Sequence, residues 1–398
     1  MNIIKKTNIY SFPETKRRQR PLRILHVYRT CWSDSYGGIE QAIRQLCLST
    51  RKFENVHNFI FTLGHNKKPY IGRVHKAGLI KYPLSFEIAS NGMSWRALSA
   101  FRKISRRMDI IHYHFPWPFG DLMNLTRASS VPAIVTYHSD IVRQQGLLKL
   151  YRPLLKHFLG NMEHIVATSP NYFATSQTLD DFRNKVSVIP LGLDENTYPC
   201  VNETRVTHWR NILGSDFLLF VGALRYYKGL HSLLDACAGT DMRLVIIGAG
   251  PMENELWPKL LKPELANVHM LGRLEEDDKV ALIHLCRALV FPSNFRSEAF
   301  GFSLLEAAMY GKPMISSEIG TGTSFINVHN ETGLVVSPFD TDALRGAMQT
   351  LYNDKNLAEK MGRQAERRYR EYFTADKMGK AYLDLYDKVL TERKHRID

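Results

Sequence analysis

The stretch SEAFGFSLLEAAMYGKP, residues 297–313, places two carboxylates, Glu298 and Glu306, at either end of seven residues that are mostly small or apolar. Glu306 has a local structural reading. Ser303 stands three residues before it, and Ser303-x-x-Glu306 predicts a capping box opening an apolar helix over 304–310. Glu298 has no such role. A carboxylate held beside a helix N-terminus accepts hydrogen bonds from hydroxyls, which a sugar presents in pairs. Two cations complete the set. The turn VGALRYYKGL carries Arg225 and Lys228 with a glycine behind them, a forked and a point-like charge that suit a diphosphate.

Three further loops offer backbone donors. In RTCWSDSYGGIEQ, Gly37 and Gly38 open a helix beginning at Ile39, where N–H groups and the helix dipole attract anions; a tight turn explains the same glycines equally well. IGAGPMENEL has Gly248-x-Gly250 after a strand, but Glu253 stands where a dinucleotide fingerprint needs a third glycine, which weighs against nicotinamide binding. The loop GTGTS, residues 320–324, is rich in N–H and O–H donors. His112 and His114 form a tight histidine pair with no cysteine or carboxylate pattern around it, so no metal site is expected.

These loops need a frame. With 398 residues the chain exceeds one ordinary core, so two domains are expected: 1–196, 197–375, and a C-terminal helix over 376–398 packing back toward the first. Apolar runs at 22–28, 58–64, 109–115, 133–138, 164–169 and 186–192 predict strands, and the series restarts at 217–224, 243–250, 267–274, 288–294 and 313–317. Most runs are continuous rather than alternating, as in parallel strands covered on both faces. Helices are expected over 39–50, 95–108, 229–237, 277–286 and 340–353. The outcome is α/β: two Rossmann-like, doubly wound parallel sheets facing across a cleft, with ligands at the carboxyl edges of the strands.

Five widely spaced cysteines, no secretory h-region and no bilayer-length apolar run point to a reduced, cytoplasmic setting. Residues 1–200 hold 28 of the 53 Lys and Arg but 13 of the 39 Asp and Glu, so the whole net charge of +14 lies in the first half. That half suits an anionic partner: a phosphorylated substrate, nucleic acid, or an anionic lipid surface. No RNA- or DNA-binding module is recognisable, and nucleic acid is not expected. The helix around SWRALSAFRKISRRM (94–108) predicts an apolar stripe of Trp95, Leu98, Phe101, Ile104 and Met108, with a basic opposite face that is either merely solvated or set against lipid headgroups.

In this order, the paired glycines, the KG turn, GAGP, SEAFGFSLLEAAMYGKP and NETGLVVSPFD resemble the retaining glycosyltransferases of family four, which have the GT-B fold. The match runs from about residue 22 to 390, and Glu298-x7-Glu306 is its most specific part. The openings LHVYRTCWSDSYGGIEQ and VGALRYYKGL are most similar to mannosyl- and rhamnosyltransferases that build bacterial O-antigen from GDP-sugars. The resemblance implies a glycosyltransferase moving α-mannose from GDP-mannose onto a lipid-linked oligosaccharide at the cytoplasmic face of the inner membrane. Another donor (GDP-rhamnose or a UDP-hexose) and a sugar-nucleotide epimerase remain as alternatives. It further implies that Gly37, Gly38, Gly248 and Gly250 line the donor, and that Lys228 neutralises the diphosphate. Glu306 would hold the ribose, Glu298 the donor sugar, and Phe300, Gly301 and Phe302 the sugar and phosphates through backbone N–H groups. His138 would lie beside the donor sugar and acceptor. The family arginine five residues before the lysine is Ala223 here, and Arg225 is expected to substitute. With no Asp-x-Asp motif placed for a cation, transfer is expected to need no metal or other cofactor.

Overall fold

The computed structural model describes residues 20–32, 34–53, 55–88, 91–141 and 145–395, with no side-chain detail for 145–149. The chain forms two compact units: one ends at Gly192 and takes in the chain again from Ala375, and the other is Leu193–Thr374.

The first unit holds an eight-stranded sheet. Its strands lie in the order Val186–Val188, His164–Ala167, Ala133–Tyr137, Ile110–Phe115, Leu22–Val27, Val56–Gly64, Ala77–Pro83 and Tyr70–Val74. All neighbours pair in parallel except the last, which is antiparallel. Ile110–Phe115 and Ala133–Tyr137 are buried at every residue, the reason their sequences run apolar without alternation. The helix Ala375–Lys394 belongs to this unit, where Lys52 pairs with Asp376 at 2.7 Å and Arg393 with Glu163 at 2.7 Å.

The second unit holds a six-stranded, all-parallel sheet in the order Val268–Met270, Leu244–Ile247, Leu218–Val221, Ala288–Phe291, Met314–Ser317 and Gly333–Val336. The helices Leu230–Cys237 and Thr341–Asn353 bury Leu233, Leu234, Leu344 and Met348 against Leu218, Phe220, Ile246 and Val290.

The expected strands and helices are present with ends shifted by a few residues. Five strands and several helices, Lys355–Tyr372 the longest of them, lie outside the expected set. Tyr70–Val74 and the hairpin Phe86–Ile88/Asn91–Met93 carry no buried residue, and so have no apolar signature. Gly333–Val336 is an edge strand of four residues, and Ala77–Pro83 completes the hairpin with Tyr70–Val74. The helix Lys355–Tyr372 buries Ala358, Met361, Gly362, Ala365 and Tyr369, a stripe of mostly small residues inside a charged sequence. The helix over 94–108 is a correction as well. It spans Trp95–Ser105, buries Ala97, Phe101 and Ser105, and leaves Trp95 64% exposed rather than in the stripe.

Gly248 shows how closely the loops at the sheet edge pack. Its φ is +147°, and a Cβ there would drive into the carbonyl oxygen of Gly222 in the neighbouring strand-to-helix turn. Gly248→Ala is therefore expected to lower the stability of the second unit by more than about 2 kcal/mol. Gly346, inside the helix Thr341–Asn353, has open space around a Cβ, and Gly346→Ala should raise stability by about 0.5–1 kcal/mol. Urea unfolding of the two variants reads both signs; equal midpoints would contradict the packing described.

Candidate active site

The chemistry-bearing residues of the second unit gather at the carboxyl edge of its sheet. After Leu218–Val221 the chain makes a 3-10 turn, Tyr226–Lys228, with Arg225 at its start and Gly229 closing it at φ +70°. This turn draws Lys228 inward, so that it is only 8% exposed. Its Nζ lies 4.3 Å from the centre of the Phe291 ring and forms an ion pair with Glu298. Glu298 comes from the loop that follows Ala288–Phe291. Burial and the Glu298 charge push the Tyr227 phenol well above its ordinary range. Arg225 is exposed and makes no ion pair among the described residues.

The same loop enters the helix Phe302–Met309 through Gly301, at φ +96° and ψ +77°, a conformation open chiefly to glycine. This corrects the expected capping box. The left-handed turn starts the helix two residues early, so Ser303 sits inside the first turn and not at the cap. Its hydroxyl donates instead to the Val221 carbonyl at 2.8 Å, tying the helix start to the neighbouring strand. Among the described residues no side chain caps this helix, and with the Leu304 and Leu305 N–H groups on the Gly301 carbonyl, those of Phe302 and Ser303 are left for an outside acceptor. Phe300 is buried, 6.2 Å from Phe373 and 6.4 Å from Phe302, so its ring belongs to the packing beneath the loop.

Glu306 is 7% exposed, and one of its oxygens accepts from Tyr198 OH at 2.9 Å and Lys279 Nζ at 2.8 Å. Lys279 also reaches Glu276 at 2.5 Å. Burial opposes the charge on Lys279, but Glu306 and Glu276 outweigh it and hold the amine above its usual range. Tyr198 and Lys279 carry no sequence signal beyond the charge cluster EEDDK; only the fold brings them to Glu306.

Two loops differ from expectation in where their donors go. Gly248 N–H donates to Gly272 O at 2.8 Å, and Gly250 N–H to Glu253 at 3.0 Å. In the GTGTS loop, Glu318 accepts from Gly320 N at 2.9 Å and from the Ser324 hydroxyl at 2.8 Å, while Gly322 N–H holds the Ala299 carbonyl at 2.9 Å. The N–H groups of Gly248, Gly250, Gly320 and Gly322 are thus already engaged within the second unit. The one Asp-x-Asp pattern, Asp340-Thr341-Asp342, caps a helix, Asp340 accepting from Ala343 N at 2.9 Å.

In the first unit, Gly37 precedes the helix Gly38–Arg51, and the Glu40 carboxylate folds back beside it to accept from Thr30 at 2.5 Å. His138 follows Ala133–Tyr137 and is buried, its Nε2 3.0 Å from His114 Nδ1. His114 continues to His26 at 3.1 Å, and His26 to Asn58 at 3.2 Å. His112 stacks on His114 and contacts Tyr386 and Thr136 at 2.8 and 2.7 Å. Ring nitrogens of His26, His112 and His114 lie within 4.8 Å of one another, spacing that could hold a metal ion, yet every ring nitrogen of the three already has a hydrogen-bond partner. Neither this network nor Asn58 is apparent from the sequence.

The family descriptions match in two blocks: "Glycosyltransferase Family 4" over residues 36–197 and "Glycosyl transferases group 1" over residues 207–368. Over 354 residues the chain is 52% identical to the D-rhamnosyltransferase WbpZ of Pseudomonas aeruginosa, covering 89% of this chain and 93% of that one. It is 46% identical over 374 residues to the O-antigen chain mannosyltransferase C of Escherichia coli, covering 94% and 100%. The chain is a group 1 glycosyltransferase. Its fold agrees with a solved sucrose-phosphate synthase from Thermosynechococcus elongatus at a TM-score of 0.75 and 19% identity, covering 93% of this chain and 100% of that one. The glycosyltransferase thus has the two Rossmann-like sheets of the GT-B class.

The buried histidines of this glycosyltransferase make a testable demand on pH. Burial strips water from the charged imidazole and lowers the four of the network, His26 to about 4, His138 to about 3, and His112 and His114 well below the ordinary 6.5, and it lowers His164 of the same unit to about 4. The unfolded chain therefore takes up protons near pH 6.5 while the folded one does not. Stability is full above that pH and falls as pH drops, by about 1.4 kcal/mol per pH unit for each histidine until its folded value is reached. Melting temperatures of the first unit should fall steeply between pH 6.5 and 5; a flat profile would contradict the burial.

Proposed function

We propose that this glycosyltransferase is a retaining mannosyltransferase that moves α-mannose from GDP-mannose onto a lipid-linked O-antigen chain. The observation that carries this reading is the near full-length likeness to an O-antigen chain mannosyltransferase and a D-rhamnosyltransferase. The 52% identity to the latter favours GDP-rhamnose as the second reading of the donor.

The site residues fit such a donor. The uncapped start of the helix Phe302–Met309, Lys228 and the exposed Arg225 supply positive charge for a diphosphate, with no metal required. Glu306, positioned by Tyr198 and Lys279, accepts from ribose hydroxyls, and Glu298 from hydroxyls of the donor sugar. His138 supplies an acceptor to a sugar hydroxyl. Glycines 37, 38, 248 and 250 act through the close approach of backbone they allow. In the transfer, the bond from the anomeric carbon to the phosphate oxygen breaks. The acceptor hydroxyl forms its new bond on the same face, its proton passes to the leaving phosphate, and a nucleoside diphosphate departs. Charge grows on that phosphate, where Lys228 and the loop N–H groups stabilise it.

No described helix is long and apolar enough to cross a bilayer. We place the enzyme peripherally on an anionic membrane surface through the helix Trp95–Ser105. Trp95, Arg96, Arg102 and Lys103 of that helix, and Arg106 and Arg107 beyond it, are all exposed. Cosedimentation with anionic liposomes at low salt should deplete the supernatant, and retention there would remove this assignment. A thermal-shift comparison of nucleoside diphosphates tests the donor: GDP should stabilise the chain far more than UDP, and the reverse result would end the mannose reading. Glu298→Ala should lower turnover by on the order of 10²–10³ with the fold retained.

A further inference from the structure

The hydrogen bonds behind His138 have a direction. Thr50 Oγ1 donates to the Leu46 carbonyl at 2.7 Å, so toward Asn58 Nδ2, 3.0 Å away, it can only accept. The Cys47 carbonyl, 3.2 Å from the same Nδ2, is likewise an acceptor. Both fix the Asn58 amide with its oxygen toward His26. His26 Nε2, 3.2 Å from that oxygen, must carry the hydrogen. A neutral imidazole has one N–H, so His26 Nδ1 is bare and accepts from His114 Nε2 at 3.1 Å. His114 Nδ1 is then bare and accepts from His138 Nε2 at 3.0 Å. His138 is thereby left with a hydrogen on Nε2 and a lone pair on Nδ1.

We propose that Asn58, His26 and His114 are positioning residues that lock His138 in one tautomer, so that His138 Nδ1 is a fixed acceptor for a substrate hydroxyl. The inference rests on the reading above that His138 touches a substrate sugar. It makes His138 a selector for a hydroxyl at the facing position, because a bare Nδ1 rejects a carbonyl there and gains nothing from a deoxy carbon. It also closes the series as a proton relay, since a proton taken at His138 Nδ1 leaves through Nε2 only if every ring behind it reverses. Among the described residues no carboxylate hydrogen-bonds to any ring of the series, and burial keeps all of them neutral.

Histidine-selective ¹⁵N labelling of the full chain at pH 7.5 reads the tautomers directly. The expected spectrum shows His26, His114 and His138 each protonated at Nε2 and bare at Nδ1. A His138 hydrogen on Nδ1, or zinc binding to the nitrogens of His26 or His114 in place of these hydrogens, would overturn the proposal. Asn58→Leu removes the anchor. It should give His138 as a mixture of tautomers and lower kcat roughly 5–10-fold, about the worth of one hydrogen bond, with a smaller change in KM for the nucleotide sugar. A folded Asn58→Leu with mixed tautomers and unchanged kcat would overturn the positioning role. If Asn58→Leu does not fold, the wild-type spectrum still decides the tautomer. His138→Ala separates the two layers: full activity there would remove the contact with substrate while leaving the tautomer result to stand or fall by itself.

Discussion

The second unit is organised around one buried ion pair, Lys228 with Glu298. Taking two charges out of water costs several kcal/mol for each, and such pairs stabilise a fold weakly or not at all compared with apolar residues in their place. A pair of this kind at the carboxyl edge of a parallel sheet therefore has its explanation in what it meets there. Lys228 rests on the Phe291 ring and Glu298 on the loop that leads to Gly301, so both charges are fixed before any ligand arrives. On the proposed reading, a diphosphate meets Lys228 and sugar hydroxyls meet Glu298 at positions set before the ligand arrives.

The surrounding structure serves to hold that pair in place. The Ser303 hydroxyl fastens the helix start to Val221, Gly322 N–H fastens Ala299, and Gly248 lets two neighbouring turns pack backbone to backbone. Glu306 is set in the same manner, by Tyr198 and Lys279, one turn further along the helix. In the first unit the positioning is done by imidazoles rather than by charges. Asn58, His26 and His114 form a neutral chain that orients His138 without placing a formal charge in the core.

Much of this was legible in the sequence, for physical reasons that also mark its limit. Buried parallel strands such as Ile110–Phe115 and Ala288–Phe291 announce themselves by unbroken apolar runs, and strand-to-helix alternation places Lys228, Glu298 and Glu306 at one sheet edge. Edge strands and the small-residue stripe of Lys355–Tyr372 lack that signature. Ser303-x-x-Glu306 looked like a cap because local spacing says nothing about Gly301, whose left-handed conformation moved the helix start. The partners of Glu306 and the histidine chain could not be read at all. Asn58 and His26, or Tyr198 and Glu306, are distant in sequence, and only strand register and loop packing make them neighbours.

The central claim is that Glu298 addresses the sugar while Lys228 addresses the diphosphate. Calorimetric titration of Glu298→Gln with the nucleoside diphosphate that stabilises the chain most tests it directly. Removing the carboxylate frees Lys228 from its partner, so the nucleoside diphosphate should bind as tightly as to the wild type or more tightly. A loss of affinity of about tenfold or more, equivalent to about 1.4 kcal/mol, would place Glu298 on the nucleotide and contradict the account.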